Sequence, residues 1–98
     1  IFDIRSKQAD LKDFCHSSIF KLLEYDYKNN TNYYDLLKTY LLKKKRQVDT
    51  ANALYIQRRT ISYHISKIRE IMGVDLDDPE TTYHLMLTYE ILDYINRK

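Results

Sequence analysis

The sequence predicts an all-α domain, a compact bundle of about five helices containing a helix-turn-helix. Three observations lead there. One Gly and one Pro in 98 residues, set against 44% hydrophobic side chains, favour long helices joined by short links. Ile61, Ile65 and Ile68 recur at i, i+4 and i+7, the spacing of one buried helical stripe. No segment keeps the alternation of a half-buried strand, which argues against a winged variant with a β-hairpin. The length suits one domain with its own core, so residues 1–98 are read as a single helical unit.

The elements follow in order. The first helix is expected over about residues 11–25, with Leu11, Phe14, Ile19, Leu22 and Leu23 turned inward. The polar link Lys28, Asn29, Asn30, Thr31 and Asn32 ends it, and Thr31 or Asn32 is the expected cap of the next helix. That second helix, about residues 33–44, buries Leu36, Leu37, Tyr40 and Leu41. A short third helix (about 48–55) and a longer fourth (about 58–72) are joined by a tight turn, giving a helix-turn-helix over about 48–72. Small Ala51 and Ala53 would let the two approach closely, and Leu54 and Ile56 would bracket the turn from inside. Gly73 supplies a left-handed stop, and Val74 and Leu76 plug the gap behind it. Asp78, Pro79 and Glu80 open the fifth helix as cap, first-turn proline and dipole partner.

The outer face of the fourth helix carries the candidate chemistry. At about 100° per residue, Arg59, Ser62, Tyr63, Ser66, Lys67 and Glu70 lie opposite the isoleucines. A recognition helix meets base edges with its first turns, and here those hold Gln57, Arg58 and Arg59. Arginine can bond guanine through two parallel contacts, and serine can reach a base edge or a phosphate. Positive charge in a first helical turn opposes the helix dipole, so two arginines there point to a functional reason. Arg59, Ser62, Tyr63 and Ser66 are the expected base or groove contacts, with Gln57 and Arg58 at the helix start. Thr60, Lys67, Lys43, Lys44, Lys45 and Arg46 are the expected phosphate contacts, and Arg58, nearer the buried stripe, is a further backbone candidate.

Charge is sorted along the chain in the same sense. Residues 1–42 balance six basic against six acidic side chains. Residues 43–69 hold Lys43, Lys44, Lys45, Arg46, Arg58, Arg59, Lys67 and Arg69 against Asp49 alone, a net +7, whereas residues 70–98 come to −5. The overall +2 hides this polarity. Each phosphate neutralised by such a segment releases counterions and steepens the salt dependence of binding.

Four pieces of the chain, in order, resemble one family. Leu22, Leu23, Glu24, Tyr25 and Asp26 match its leucine-leucine-x-tyrosine-aspartate helix ending. Leu36, Leu37, Lys38, Thr39, Tyr40 and Leu41 match its leucine-rich helix ending in tyrosine-leucine. Thr50, Ala51 and Leu54, followed by Arg58, Thr60, Ile61 and Tyr63, match its helix-turn-helix. Gly73, Asp75, Leu76 and Pro79 match the glycine-x-aspartate-leucine-x-x-proline segment behind it. Residues 19–92 thus resemble the C-terminal DNA-binding domain of the PucR-type purine-catabolism and sugar-diacid regulators, bacterial transcription factors. The resemblance implies a parent protein that answers to a metabolite and controls a catabolic operon, purine breakdown among the possibilities. The departures fall near the reading edge. The family's glycine-asparagine ahead of the motif is Arg46 and Gln47 here, and its histidine-arginine-asparagine-threonine is Gln57, Arg58, Arg59 and Thr60. The arginine that often follows the tyrosine is His64, and related helix-turn-helices put glycine where this chain has Tyr55. They leave the fold reading intact and bear on which base sequence is read.

Other chemistries find little support. His16, His64 and His84 are far apart in sequence and only Cys15 accompanies them, so neither a zinc spacing nor an internal disulfide is available. Asp75, Asp77 and Asp78 lack the central glycine and terminal glutamate of a calcium loop. No glycine-rich phosphate loop and no nucleophile elbow occurs, so no catalytic residue, metal or cofactor is expected. There is no apolar run of membrane-spanning length and no N-terminal signal pattern, and a lone free thiol suits a reducing cytoplasm. The expected partner is double-stranded DNA. The last helix, apolar over more than one face (Tyr83, Leu85, Met86, Leu87, Tyr89, Ile91, Leu92, Tyr94 and Ile95), is expected to dock a second copy or a sensing domain lying upstream of Ile1. The alternative is a helix-turn-helix-fold interaction module without specific DNA binding.

Overall fold

In the computed structural model, which describes residues 11–97, five α-helices follow one another: α1 Ser18–Asn29, α2 Tyr33–Leu42, α3 Gln47–Leu54, α4 Arg58–Met72 and α5 Pro79–Asn96. No strand occurs among the described residues, and the fold is the all-α bundle that the sequence predicts. Residues 1–10 and 98, which the single-domain reading includes, lie outside the described residues.

The expected first helix is split. Leu11 and Lys12 are helical, and the backbone then turns, Phe14 N–H donating to Leu11 O at 3.0 Å and Cys15 N–H to Lys12 O at 3.1 Å. The cause lies across the fold. His16 N–H donates to Thr88 Oγ1 of α5 at 2.8 Å, which takes it out of an intrahelical ladder. Phe14, expected inward, is 64% exposed as a result, and Leu11 is half-buried. Ile19 and Leu22 are buried as expected, with Leu23 packed at the edge. The same turn buries Cys15, and burial pushes its thiol pKa up, which disfavours the reactive thiolate.

The imidazole of His16 stands edge-on to that of His84, centroids 5.0 Å apart, with Ser18 Oγ 2.7 Å from its Nδ1. Burial, and then the neighbouring His84, hold the His16 pKa below its ordinary 6.5. The folded state therefore binds its proton less readily than the unfolded chain. His16 imposes no penalty above about pH 6.5, and stability falls as the pH drops below that value toward the folded pKa. Urea unfolding at pH 7.5 and 5.5 is expected to show this loss, and His16→Gln to flatten it.

Beyond the expected end at residue 25, α1 continues to Asn29, supported by a Glu24–Lys28 pair at 2.8 Å. It stops where Asn30 turns left-handed at φ 55°. The cap of α2 differs from expectation. Asn32 makes no capping bond with its side chain, and Thr31 does not cap but donates its hydroxyl to the Asp26 carboxylate. That carboxylate also accepts Tyr33 N–H at 3.0 Å and Tyr34 N–H at 2.8 Å, so α2 is capped from the end of α1. α2 buries Tyr33, Leu36, Leu37, Tyr40 and Leu41. It ends at Leu42, short of the expected residue 44, because Lys44 and Lys45 both adopt positive φ, 57° and 63°.

The core joins Ile19 and Leu22 of α1, Leu37 of α2 and Ile61, Ile65, Ile68 and Met72 of α4, closed by Leu76 and by Leu85 of α5. Gly73 takes the left-handed stop at φ 67°. Asp78 caps α5, accepting from Thr81 N–H and its hydroxyl. α4 packs on α1, α2 and α3, whereas α5 packs on α2. Tyr89 donates its hydroxyl to Tyr34 O at 2.7 Å, and Lys38 pairs with Asp93 at 2.8 Å, fastening α5 in place. α5 buries only Leu85, Thr88, Tyr89 and Leu92; Tyr83, Met86, Leu87 and Tyr94 stay exposed. No helix among the described residues is long and apolar enough to cross a membrane.

Candidate nucleic-acid interface

The site is built by the link between α3 and α4. α3 runs Gln47–Leu54, one residue earlier than expected at its start and end, and Tyr55 then takes the left-handed conformation at φ 58°. Tyr55 N–H and Ile56 N–H both donate to Ala51 O, and the chain re-enters helix at Arg58 from an extended Gln57. Ala51 is buried where the two helices meet. Ala53, expected beside it, is exposed: it follows Ala51 by two positions and so faces away. Buried Thr50 donates its hydroxyl to Arg46 O at 2.8 Å, a core role that its polarity conceals in the sequence. Leu54 and Ile56 pack half-buried against the core.

Tyr55 occupies a backbone geometry that suits glycine while its side chain is 96% exposed. Its ring contributes little packing to offset that strain. Tyr55→Gly is expected to stabilise the domain by about 1 kcal/mol, read as a raised Tm in a thermal melt. A lowered Tm would mean that Tyr55 packs in a way its exposure does not reveal.

α4 divides into two faces. Ile61, Ile65, Ile68 and Met72 are buried, and Arg58, Arg59, Ser62, Tyr63 and Ser66 stand exposed on the other side. Those five and Gln47 line one shallow, open concavity. Gln47 was not among the sequence candidates. It reaches the site as the first residue of α3, and the available signal was its place where the family has asparagine. Gln57 is exposed at the cap of α4 and makes no capping bond with its side chain. Thr60 and Lys67 are half-buried on the flanks of the helix.

The basic residues are spread more widely than their sequence clustering suggests. Lys43 and Lys44 are exposed in the α2–α3 turn. Lys45 directs its ammonium inward to Leu76 O at 3.2 Å, and Arg46 approaches Asp49 at 3.8 Å. Arg69 leaves the face altogether, its guanidinium reaching Asp77 at 3.4 Å. His64 also departs from its expected place near the reading edge. Its Nδ1 lies 3.1 Å from the buried Tyr33 hydroxyl and its ring 5.1 Å from that of Tyr33. Burial raises the Tyr33 pKa and keeps that hydroxyl protonated. Tyr33 in turn stacks on Tyr25, and Tyr63 leans on His64 at 5.6 Å, so an aromatic row runs from α1 to the rim of the concavity. Among the described residues no group of three or more His, Cys, Asp or Glu is placed to hold a metal ion.

Comparison with known proteins gives two matches. The family model for the PucR C-terminal helix-turn-helix domain matches residues 33–91, spanning α2, α3, α4 and most of α5. The purine catabolism regulatory protein of Bacillus subtilis (strain 168) is 36% identical over 78 residues, covering 80% of this chain. The matched segment spans 14% of that protein's length. No solved structure matches.

Proposed function

This chain belongs to the PucR C-terminal helix-turn-helix domain family, and we propose that it reads a specific duplex-DNA sequence with α4 in the major groove. The observation that carries the proposal is the concavity of Gln47, Arg58, Arg59, Ser62, Tyr63 and Ser66. It is lined by donors, a phenol and two guanidinium groups, and by no carboxylate, which suits the acceptor-rich edge of guanine and the phosphates beside it. In this reading Arg59, Ser62, Tyr63 and Ser66 contact bases or the groove, and Gln57 and Arg58 act at the helix start. Thr60, Lys67, Lys43, Lys44 and Arg46 contact phosphate, with Lys45 bracing the turn that presents them. The parent protein would regulate a catabolic operon, purine catabolism being the class that the Bacillus relative's name supplies.

The test is selection of the purified chain against a pool of random duplexes, with titration at two salt concentrations. A specific reader enriches a defined site and loses affinity steeply with salt. Salt-sensitive binding without enrichment would leave only a basic patch. The second reading, a protein-interaction module on this fold, draws on the exposed apolar residues of α5 and the acidic C-terminal third. Absence of any duplex binding would favour it.

A further inference from the structure

One flank of α4 neither enters the core nor lines the concavity. Thr60, His64 and Lys67 recur along it at i, i+4 and i+7, and all three are half-buried. The two ring nitrogens of His64 meet different surroundings. Nδ1 lies 3.1 Å from the Tyr33 hydroxyl, and the rings of Tyr33 and Tyr63 rest against the imidazole at 5.1 and 5.6 Å. Nε2 has no partner among the described residues. It is not buried either, since Arg69 Nε is the one buried side-chain nitrogen or oxygen left unpartnered among them. Nε2 therefore opens to solvent.

Tyr33 decides what that open atom can do. Its side chain is 8% exposed, and His64 Nδ1 is the one partner of its hydroxyl among the described residues. A buried hydroxyl gives its proton to the acceptor it has, so Tyr33 donates and Nδ1 accepts. A neutral imidazole carries a single ring proton, and with Nδ1 accepting that proton stands on Nε2. The two ring contacts hold the imidazole in place, so the direction of the Nε2–H is set together with its tautomer. The flank thus offers a hydroxyl, an outward N–H and an ammonium in a row, with no carboxylate among them. We propose that His64 is a backbone contact of the reader: its Nε2–H donates to a DNA phosphate between the contacts of Thr60 and Lys67, with Tyr33 as the positioning residue. This rests on the DNA reading of α4 and adds to it a phosphate contact that carries no charge. Such a contact strengthens binding without releasing a counterion.

Two amide substitutions test it at about pH 8, where ordinary imidazoles are neutral. Glutamine sets its NH2 group where Nε2 stands, whereas asparagine sets its amide where Nδ1 stands. Against the duplex selected by the unaltered chain, His64→Asn is expected to weaken binding about 10-fold on every sequence, and His64→Gln to stay within about 3-fold. The salt slope should be unchanged in both, whereas Lys67→Ala is expected to lower it by about one unit. Tyr33→Phe keeps the ring contacts and loses the hydroxyl, and is expected to weaken binding about 3-fold at an unchanged salt slope. Circular dichroism of each variant checks that the fold is kept. Nitrogen NMR of the imidazole in the free chain needs no DNA, and is expected to show the Nε2–H tautomer. The Nδ1–H tautomer would overturn the proposal. So would equal losses in His64→Asn and His64→Gln, a salt slope that shrinks in either, or a His64→Asn or Tyr33→Phe chain that binds as tightly as the unaltered one. Each of those outcomes leaves the DNA reading of α4 standing, whereas an unaltered chain that selects no duplex overturns both.

Discussion

Arg59→Ala is expected to weaken binding to the selected duplex by about 5- to 150-fold, the range of a lost bidentate base contact worth roughly 1–3 kcal/mol. Arg59 is exposed on the concavity in the first turn of α4, where its charge opposes the helix dipole. Folding should therefore be unchanged or slightly favoured, and a thermal melt of the variant provides that control. The form of the loss separates two roles. If Arg59 reads a base, the sequence selected by the variant relaxes at one position. If it holds a phosphate, affinity falls alike on all sequences and the salt slope shrinks by about one unit. Arg59→Lys keeps the charge and loses the planar fork, so it should retain the phosphate effect and not the base effect. Unchanged affinity in Arg59→Ala would remove Arg59 from the contact surface and leave recognition to the other residues of the concavity.

How much of this was legible in the sequence follows from which interactions are local. α4 and its stop at Gly73 were readable because isoleucine periodicity and a left-handed glycine are properties of adjacent residues. The Asp78 cap and Pro79 start of α5 were readable for the same reason. Five concavity residues were found because one helix face presents them all, whereas Gln47 arrives from a different helix and depends on the α3–α4 angle. The break before α1 was hidden because it depends on Thr88, 72 residues away. His64 was placed near the reading edge by its position after Tyr63 in the family's motif, not by the helical wheel, which leaves it off the outer face. It lies between the two faces, and the Tyr33 hydroxyl, brought in by α2, decides which way it turns. Lys45 and Arg69 likewise counted as interface charge until Leu76 O and Asp77 gave them nearer partners.

Asp26→Ala is expected to cost the fold about 2–3 kcal/mol, the sum of a lost helix cap and charge-assisted hydrogen bonds left without an acceptor. Its carboxylate accepts from the Thr31 hydroxyl and from the N–H groups of Tyr33 and Tyr34, so one side chain closes the α1–α2 turn and starts α2. For a domain of this size the drop in Tm should be roughly 10 °C or more. Asp26→Asn keeps one carbonyl acceptor and should lose about half as much. The two tyrosines that Asp26 anchors carry the effect outward. Tyr34 O accepts the Tyr89 hydroxyl from α5, and the Tyr34 hydroxyl pKa is pushed up to about 12, chiefly by burial, so that ring stays neutral in the core. The Tyr33 hydroxyl bonds His64 on α4, one residue from Tyr63 on the reading face. A start of α2 that frays would free both contacts, loosening α5 and the flank of α4 together. The measurement is a thermal melt paired with amide exchange: early exchange confined to residues near 31–36 would mean a local cap, and early exchange in α4 and α5 as well would mean that Asp26 couples the three helices. Asp26→Ala with an unchanged Tm would show that Asn32 or solvent replaces the carboxylate, and that the aspartate of the leucine-leucine-x-tyrosine-aspartate stretch has no capping role.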